Sequence, residues 1–369
     1  MLKYIKTTSL VLNGVIYMKK FIAVVAGCAA AILTLTACSG NTNTFAATYF
    51  LQGDASVRDI GTVNETLTYK VYSFAGKDEL NAYDTLLPSL PSGTGTLKFN
   101  VTDGSTYKTT IKTLADKSGY EFHSILTVNG EYTYGDGKTY KVEGDTTEIT
   151  ATFKGVNDKF HPIEVTKVIK NTFPTSGSPA EEKQFVTASC TYKITYGKNA
   201  TVTVTPGDDE KSKTYYKNLA DKDTVIKKYD KKDFVDNDLL FTVFRNFDYA
   251  ANFSYSYSSI DALSGALVSA NATVIGESGK SPVKLVKKPA GAQLNDAFNA
   301  CGVKFATTGE YGKAYAYCYY ALSVNGSGNV SEDKDKENGT RRVPLIIAQP
   351  LIHNTGYMIM ALDTTNFGI

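Results

Sequence analysis

Tryptophan is absent from this chain of 369 residues, which contains only 3 histidines, 4 methionines and 5 cysteines. The histidines His123, His161 and His353 are far apart, and none has a partner at the short spacing of a zinc site, so no metal is expected. No Gly-x-Ser-x-Gly nucleophile motif occurs either. The sequence therefore predicts a non-enzymatic protein without a cofactor.

Neither sign of charge dominates. The chain has 39 basic and 37 acidic residues, a formal net charge of +2. Nucleic-acid binding requires clustered lysine and arginine, so no nucleic-acid partner is expected. With 42% hydrophobic and 21% charged residues, the composition is that of a globular protein with a substantial core.

The first 37 residues differ from the rest. They contain Lys3, Lys6, Lys19 and Lys20 and no acidic residue, and an apolar run of small and aliphatic residues extends over 21–36. A basic start followed by such a run is typical of a secretory signal peptide. The run is shorter than the roughly 20 residues of a membrane-spanning helix. Met18, directly before two lysines, is the better start of this signal.

The signal ends in Leu35-Thr36-Ala37-Cys38, which resembles the bacterial lipobox. The resemblance implies that the Cys38 sulfur receives a diacylglyceryl group and that signal peptidase II cleaves before it. The protein would then be lipid-anchored at the extracytoplasmic face of the cell membrane. An ordinary secretory signal with a chance cysteine is the alternative. Loss of residues 1–37, with their four lysines, changes the net charge from +2 to −2.

The polar residues after Cys38 predict a flexible tether over 38–47. Beyond it, alternation of apolar and polar residues dominates, which indicates half-buried strands. In the clearest strand, Phe185 to Tyr196, one face carries Val186, Ala188, Cys190, Tyr192, Ile194 and Tyr196. Gly197-Lys198-Asn199 then predicts a hairpin turn into the strand around Val202.

Further turn signals suggest more hairpins. They are Asp103-Gly104, Asn129-Gly130, Gly135-Asp136-Gly137 and Gly144-Asp145; Asn-Gly in particular accepts the positive φ of a tight hairpin. A succession of such hairpins predicts an antiparallel meander with one face on the core. The apolar runs of the last third suggest a sheet of their own.

Helical spacing is scarce. Asp236 is expected to begin a helix that carries Leu240, Val243 and Phe244, and residues 292–301 show a second helical stripe. Residues 48–369 are therefore expected to form a single elongated domain of mainly β (α+β) class. Its architecture would be a long antiparallel meander, as a curved sheet or half-barrel with two or three short helices packed on it.

Three cysteines remain after cleavage: Cys190, Cys301 and Cys318. Export to an oxidising compartment makes a Cys301–Cys318 disulfide a candidate. Buried free thiols, which behave as small hydrophobic groups, are the alternative.

An acidic cluster of Asp230, Asp233, Asp236 and Asp238 lacks the glycine of a calcium loop, so Asp236 is interpreted as a helix cap.

Tyrosine is abundant, with 25 residues. Tyr315, Tyr317 and Tyr319 share one face of a predicted strand and form a candidate contact surface that would stack on sugar rings or bind an apolar partner. Tyr215, Tyr216, Tyr255 and Tyr257 are weaker candidates for the same role. Tyrosines lining an ordinary sheet face are the alternative, and the absence of tryptophan weakens the carbohydrate hypothesis.

Two functional hypotheses follow. Long amphipathic strands with few helices resemble the lipid-carrying lipoproteins of the LolA and LppX type. This implies an apolar or lipid-like small molecule within the curved sheet, facing Val186, Ala188, Tyr192, Ile194 and Tyr196. The alternative is a surface interaction, adhesion or glycan-binding module that uses exposed tyrosines.

Overall fold

A computed structural model describes the following parts of the chain: residues 64–74, 97–156, 159–174, 185–220, 224–226, 235–246, 254–260, 267–275, 281–283, 298–309, 312–321, 323–324, 330–331, 343–351 and 356–368. The predicted signal peptide, the predicted lipobox with Cys38 and the predicted tether lie outside the described residues.

The described residues are mainly in strands, which confirms the expected fold class. The strands are β1 (Asn64–Phe74), β2 (Leu97–Val101), β3 (Thr106–Thr113), β4 (Gly119–Tyr134), β5 (Thr139–Val156), β6 (Lys159–Pro174), β7 (Phe185–Tyr196), β8 (Ala200–Pro206), β9 (Thr224–Ile226), β10 (Ser254–Ile260), β11 (Leu267–Ile275), β12 (Ser281–Val283), β13 (Phe298–Gly309), β14 (Gly312–Ala321), β15 (Ser323–Val324), β16 (Val330–Ser331), β17 (Pro344–Pro350) and β18 (Tyr357–Gly368).

One antiparallel sheet contains all of these strands except β15 and β16, which pair with each other. Its order is β10-β11-β13-β14-β17-β18-β1-β3-β4-β5-β6-β7-β8-β9, with β12 beside β13 and β2 beside β4. The expectation of a separate C-terminal sheet is therefore wrong. β18 pairs with β1 over its whole length, and this pairing joins the strands of the C-terminal half to those of the N-terminal half.

Three of the predicted hairpin turns are wrong. Asn129-Gly130 lies within the 16-residue strand β4, and Gly144-Asp145 lies within the 18-residue strand β5. Asp103-Gly104 does not pair β2 with β3; both strands pair with β4, one after the other along the same edge. The turn at 135–137 is confirmed, since the Gly137 N–H donates to the Tyr134 carbonyl at 2.9 Å.

The misread turn residues meet at an irregularity of the sheet. The pairing of β4 with β5 shifts between Val128 and Gly130, where the Gly144 N–H donates to Oδ1 of Asn129 at 2.8 Å. Gly144 has a positive φ of 66°. This backbone conformation occurs in β-bulges as well as in hairpin turns. Ser105, in the break between β2 and β3, accepts from the Asn129 N–H at 2.8 Å. The residues that the sequence suggested for hairpin turns therefore form a β-bulge instead.

Helices are few among the described residues. α1 (Glu210–Ala220) lies on β7 and β8; it was not predicted. The predicted helix start at Asp236 is confirmed, because its side chain accepts from the Asp238 N–H. After it come a 3₁₀ turn (Asn237–Leu239), α2 (Leu240–Val243) and a second 3₁₀ turn (Phe244–Asn246). The helix expected over 292–301 is wrong for residues 298–301, which belong to β13.

Residues 235–246, hereafter the inner segment, show how strongly the sheet curves. The Val235 N–H donates to the Ser258 carbonyl on β10 at 2.8 Å, and the next residue, Asp236, accepts from the Tyr196 hydroxyl on β7. These strands are eleven steps apart in the sheet order, which would be roughly 50 Å in a flat sheet. The sheet therefore curls around the inner segment, yet β9 and β10 do not pair to close it.

The main core lies between the concave face of the sheet and the inner segment. Phe244 is fully buried, and its ring lies 5.0 Å from that of Phe305 and 5.3 Å from that of Tyr257. The Tyr320 hydroxyl donates to the Phe241 carbonyl at 2.9 Å.

No helix within the described ranges is long and apolar enough to cross a membrane.

Candidate functional site

The face of β7 that was expected to contact a ligand lies on the concave side of the sheet. Ala188, Cys190, Tyr192, Ile194 and Tyr196 are all buried, and Val186 is partly buried against the same core. The predicted inward orientation of this face is therefore confirmed. Neighbouring atoms come from α1 at one end, through Tyr216, and from the inner segment at the other.

Burial makes the Cys190 thiol a poor nucleophile. Desolvation raises its pKa, although hydrogen bonds with Tyr216 and Tyr192 oppose the shift. The same burial raises the pKa of both tyrosine hydroxyls. This end of the β7 face is therefore uncharged at neutral pH.

A charged pair interrupts the apolar concave face beside Tyr192. Lys167 of β6 is the register partner of Tyr192, and its Nζ lies 2.5 Å from Oδ1 of Asp238 in the inner segment. The two side chains are only 11% and 13% exposed. This contact fixes the inner segment to the middle of the N-terminal strands.

A second carboxyl group lies next to this pair. Asp236 is 3% exposed; one of its carboxyl oxygens accepts from the Asp238 N–H at 2.8 Å, and the other contacts the Tyr196 hydroxyl. Burial, and then the nearby charge of Asp238, raise the pKa of Asp236 to about 7. Its side chain is therefore mostly protonated under mildly acidic conditions.

The far end of the inner segment carries a second buried ion pair. Nη1 and Nη2 of Arg245 lie 2.6 and 2.8 Å from the two carboxyl oxygens of Glu65 on β1, and both side chains are nearly inaccessible. Burial is the largest single influence and lowers the pKa of Arg245, but the charge and hydrogen bonds of Glu65, with smaller contributions from Tyr69 and Tyr320, together raise the pKa overall. The inner segment is thus bound through charges to β1 and to β6.

The predicted contact surface of tyrosines on β14 is wrong for two of its three members. Tyr317 and Tyr319 are 3% and 1% exposed. The intervening residues Ala316, Cys318 and Tyr320 are buried as well, so this strand is covered on both faces. Tyr315 alone keeps partial exposure, and Nζ of Lys304 lies 3.9 Å from the centre of its ring.

The weaker tyrosine candidates give a similar result. Tyr215, Tyr216 and Tyr257 are buried, and only Tyr255 is partly exposed. Their rings pack within the core, as Tyr257 does against Phe244. Alternation along a strand indicates which tyrosines share a face, but not whether another layer covers that face.

The candidate disulfide is also wrong, since Cys301 and Cys318 are buried thiols that are not bonded to each other. In the pairing of β13 with β14, Cys301 lies opposite Tyr320 and Cys318 lies opposite Val303. The two cysteines are therefore diagonal neighbours, and diagonal positions are about 7–8 Å apart. A disulfide needs Cβ atoms at roughly 3.5–4.5 Å.

Of the three histidines singled out in the sequence, the structure describes the side chain of His123. His123 contacts Oε1 of Glu148 at 2.7 Å on the partly exposed side of the sheet. Asp230, Asp233 and His353 lie outside the described residues, as does the side chain of His161. Among the residues that the structure describes, no group of three or more His, Cys, Asp or Glu side chains could hold a metal ion.

The structure reveals one aromatic surface that the sequence did not single out. Beyond the bulge at Asn129, β2 and the hairpin of β4 and β5 form a distinct part of the sheet, hereafter the tip, which comprises residues 97–101 and 130–142. It has a small core of its own, formed by Leu97, Phe99, Tyr132, Tyr134 and Val142. Phe185, at the start of β7, packs against this core.

Tyr140 is the exposed aromatic residue of the tip. Its ring stacks on Phe185 at a centroid distance of 3.9 Å and an interplanar angle of 12°, while the side chain remains 39% exposed. In the described residues, Val168 is the other large hydrophobic side chain that is exposed. The sequence signal was present as Tyr132 and Tyr140 on the two strands of the 135–137 hairpin, but Phe185 is too distant in sequence to be connected with them.

A polar seam separates the tip from the main core. Asp145 is 9% exposed, and its carboxyl oxygens accept from the Thr172 N–H at 2.7 Å and from the Thr172 hydroxyl at 2.9 Å. That hydroxyl also contacts the Thr187 hydroxyl at 3.0 Å. Because these bonds connect β5, β6 and β7 at the base of the tip, they hold the aromatic cluster in a fixed position.

Searches for similar proteins found no match to this chain among family models, curated proteins or solved structures.

Proposed function

We propose that the protein is a non-enzymatic lipoprotein, anchored through Cys38 at the extracytoplasmic face of the membrane, which binds envelope glycan through the aromatic tip. The observation that carries this proposal is the exposed ring of Tyr140 stacked on Phe185 above a small aromatic core. A flat aromatic surface of this kind suits the apolar face of a sugar ring.

The rigidity of the tip supports this role. Tyr140 is paired with Tyr132 in the ladder of β4 and β5, and Phe185 begins β7, which is separated from β5 by β6 in the sheet order. A surface built on strands loses little conformational freedom when it binds, so more of the interaction free energy is available for affinity.

Carriage of a lipid-like molecule inside the sheet is the second candidate function. It is favoured by the orientation of the β7 face, whose apolar side chains lie on the concave side. Against it, the inner segment already packs on that side and is held by two buried charge contacts. A ligand there would have to displace these contacts, so surface binding is the better supported function.

The glycan proposal is tested by cosedimentation of the mature protein with insoluble peptidoglycan. Aromatic stacking contributes about 0.5–1.5 kcal/mol, so Tyr140→Ala should weaken binding roughly 2- to 10-fold. Tyr140→Phe keeps the ring and should bind like the parent. Val168→Ala removes a similarly exposed apolar side chain on β6 and serves as the matched control. Equal binding by parent and Tyr140→Ala would contradict the proposal.

The anchor is tested separately. Cells that produce the parent or Cys38→Ala are labelled with an alkyne fatty acid, and the protein is then recovered from membrane and soluble fractions. The parent should carry the label and sediment with membranes, whereas the variant should carry none and be released or mis-sorted. Equal labelling of the two proteins would show that Cys38 is not the acylated residue.

A further inference from the structure

The contact between Lys167 and Asp238 joins a primary amine and a carboxyl group that are 71 residues apart in the sequence and only 2.5 Å apart in space. Both side chains are nearly buried. An amine and a carboxylic acid can condense to an amide. When the fold holds the two groups in contact, the reaction becomes intramolecular and does not depend on a bimolecular encounter. Such placement is equivalent to effective concentrations of roughly 10⁵–10⁸ M in favourable cases.

The surroundings of this pair favour formation of the amide over its hydrolysis. Tyr192 lies beside Lys167 in the ladder of β6 and β7, and Asp238 lies close enough to Tyr107 and Tyr192 to raise the pKa of both hydroxyls, although desolvation is the larger cause. A site lined by aromatic rings excludes the water that would reverse the reaction.

Asp236 determines which carboxyl group faces the amine. Its carboxyl oxygen accepts from the Asp238 N–H at 2.8 Å, which fixes the backbone that carries Asp238. Because burial raises its pKa to about 7, Asp236 is largely neutral in mildly acidic conditions and competes little for the lysine. Asp236 is therefore a positioning residue for the pair.

We propose that Lys167 and Asp238 form an intramolecular isopeptide bond after the chain has folded. A proton passes from the Lys167 ammonium to the Asp238 carboxylate, and the free amine then attacks the carboxyl carbon. The new bond joins Nζ to Cγ, Nζ then gives up a second proton, a C–O bond breaks, and the oxygen leaves as water with both protons. The reaction is balanced without an oxidant, a cofactor or another protein.

The bond would covalently join β6 to the inner segment. This proposal is independent of the glycan-binding function, because it concerns the concave side of the sheet and not the tip.

The test is peptide mass spectrometry of the full-length protein, purified under native conditions and digested with trypsin after denaturation. Trypsin does not cleave after an acylated lysine, so the bond should yield residues 160–170 linked to residues 233–245. The linked species should be one water molecule lighter than the sum of its two peptides. Recovery of free peptides cleaved after Lys167, with no linked species, would overturn the proposal.

Variants identify the atoms that react. Lys167→Arg and Asp238→Ala should each abolish the linked species, and circular dichroism and melting curves establish that the proteins are folded. Asp236→Ala should lower the linked fraction, while Asp236→Asn, whose amide oxygen still accepts from the Asp238 N–H, should restore it. A linked species that persists in folded Lys167→Arg would assign the bond to another lysine and refute the proposal.

Lys193 provides an internal control. Its Nζ lies 2.9 Å from Glu164, but the two side chains are 51% and 41% exposed. Open access to water favours hydrolysis over amide formation, so no linked peptide should arise there. Equal linkage at both sites would indicate a chemical artefact of sample preparation and remove the support for the proposal.

Discussion

Replacing Arg245 with methionine tests how the inner segment is held to the sheet. Arg245 makes a bidentate contact with Glu65, and the exposed fractions of the two side chains are 2% and 1%. The substitution removes the positive charge and leaves the Glu65 carboxylate buried without its counter-ion. Glu65 belongs to β1, which lies between β18 and β3, so the disturbance falls in the middle of the sheet.

The expected magnitude follows from this burial. Removal of one partner of a buried ion pair costs about 3–5 kcal/mol, whereas replacement of both partners by apolar residues is often nearly neutral. Arg245→Met should therefore lower the free energy of unfolding by about 3–5 kcal/mol. The double variant Glu65→Leu/Arg245→Met should recover most of that loss.

The assay is equilibrium unfolding in urea, followed by circular dichroism and extrapolated linearly to water. Lys193→Met is the matched control, because its exposed pair with Glu164 should contribute at most about 1 kcal/mol. A single variant as stable as the parent, or a double variant as unstable as the single one, would refute the assignment of Arg245 and Glu65 as a mutually dependent buried pair.

Three further predictions concern the concave side of the sheet. Ala188→Phe places a large side chain at a position that is 1% exposed, so it should cost about 1–3 kcal/mol of stability; near-parental stability together with lost uptake of a fluorescent lipid would instead favour the carrier function. Because the pKa of Asp236 is raised to about 7, the native state binds more protons than the unfolded chain between about pH 4 and 7. The free energy of unfolding should therefore fall as the pH rises through that window, and a urea titration of Asp236→Asn should show a smaller fall. Maleimide labelling of the mature protein in denaturant without reductant should modify Cys190, Cys301 and Cys318, which are thiols and not part of a disulfide; unlabelled Cys301 and Cys318 would contradict the diagonal placement.

Local patterns predicted the parts of the fold in which neighbours in sequence are neighbours in space. The hairpin of β7 and β8 is one example, since Tyr196 pairs with Ala200 across the expected turn. The helix cap at Asp236 is another. In both cases the residues that form the structure lie within a few positions of each other in the sequence. Their types and spacing were therefore sufficient to predict the structure.

The turn signals at Asn129 and Gly144 misled because local chemistry does not distinguish a turn from a bulge. Both need a residue that accepts positive φ, and only the pairing of β4 with β5 decides between them. α1 was missed for a related reason. The side chain of Asp209 accepts from the Ser212 N–H at 2.8 Å, as a helix cap does, but an aspartate is equally typical of a turn.

The polar contacts of the concave side could not be predicted. Glu65 and Arg245 are 180 residues apart, and nothing in the sequence near either residue identifies its partner. The same holds for Lys167 and Asp238. The lysine alternates with apolar residues on a strand, and its burial is apparent only once the sheet curves over the inner segment.

The pairing of β1 with β18 would matter for the export that the proposed lipoprotein anchor requires. A chain that crosses a membrane from its N-terminus releases β1 well before β18, yet residues Asn64 to Phe74 pair with Gly368 to Tyr357 in the finished sheet. Until translocation ends, the edge of β1 that awaits β18 offers unpaired backbone groups to any other strand, and such edges promote aggregation. Deletion of β18 would leave that edge unpaired permanently. Such a deletion should therefore do more harm than its length suggests, because it separates the two halves of the sheet at their junction.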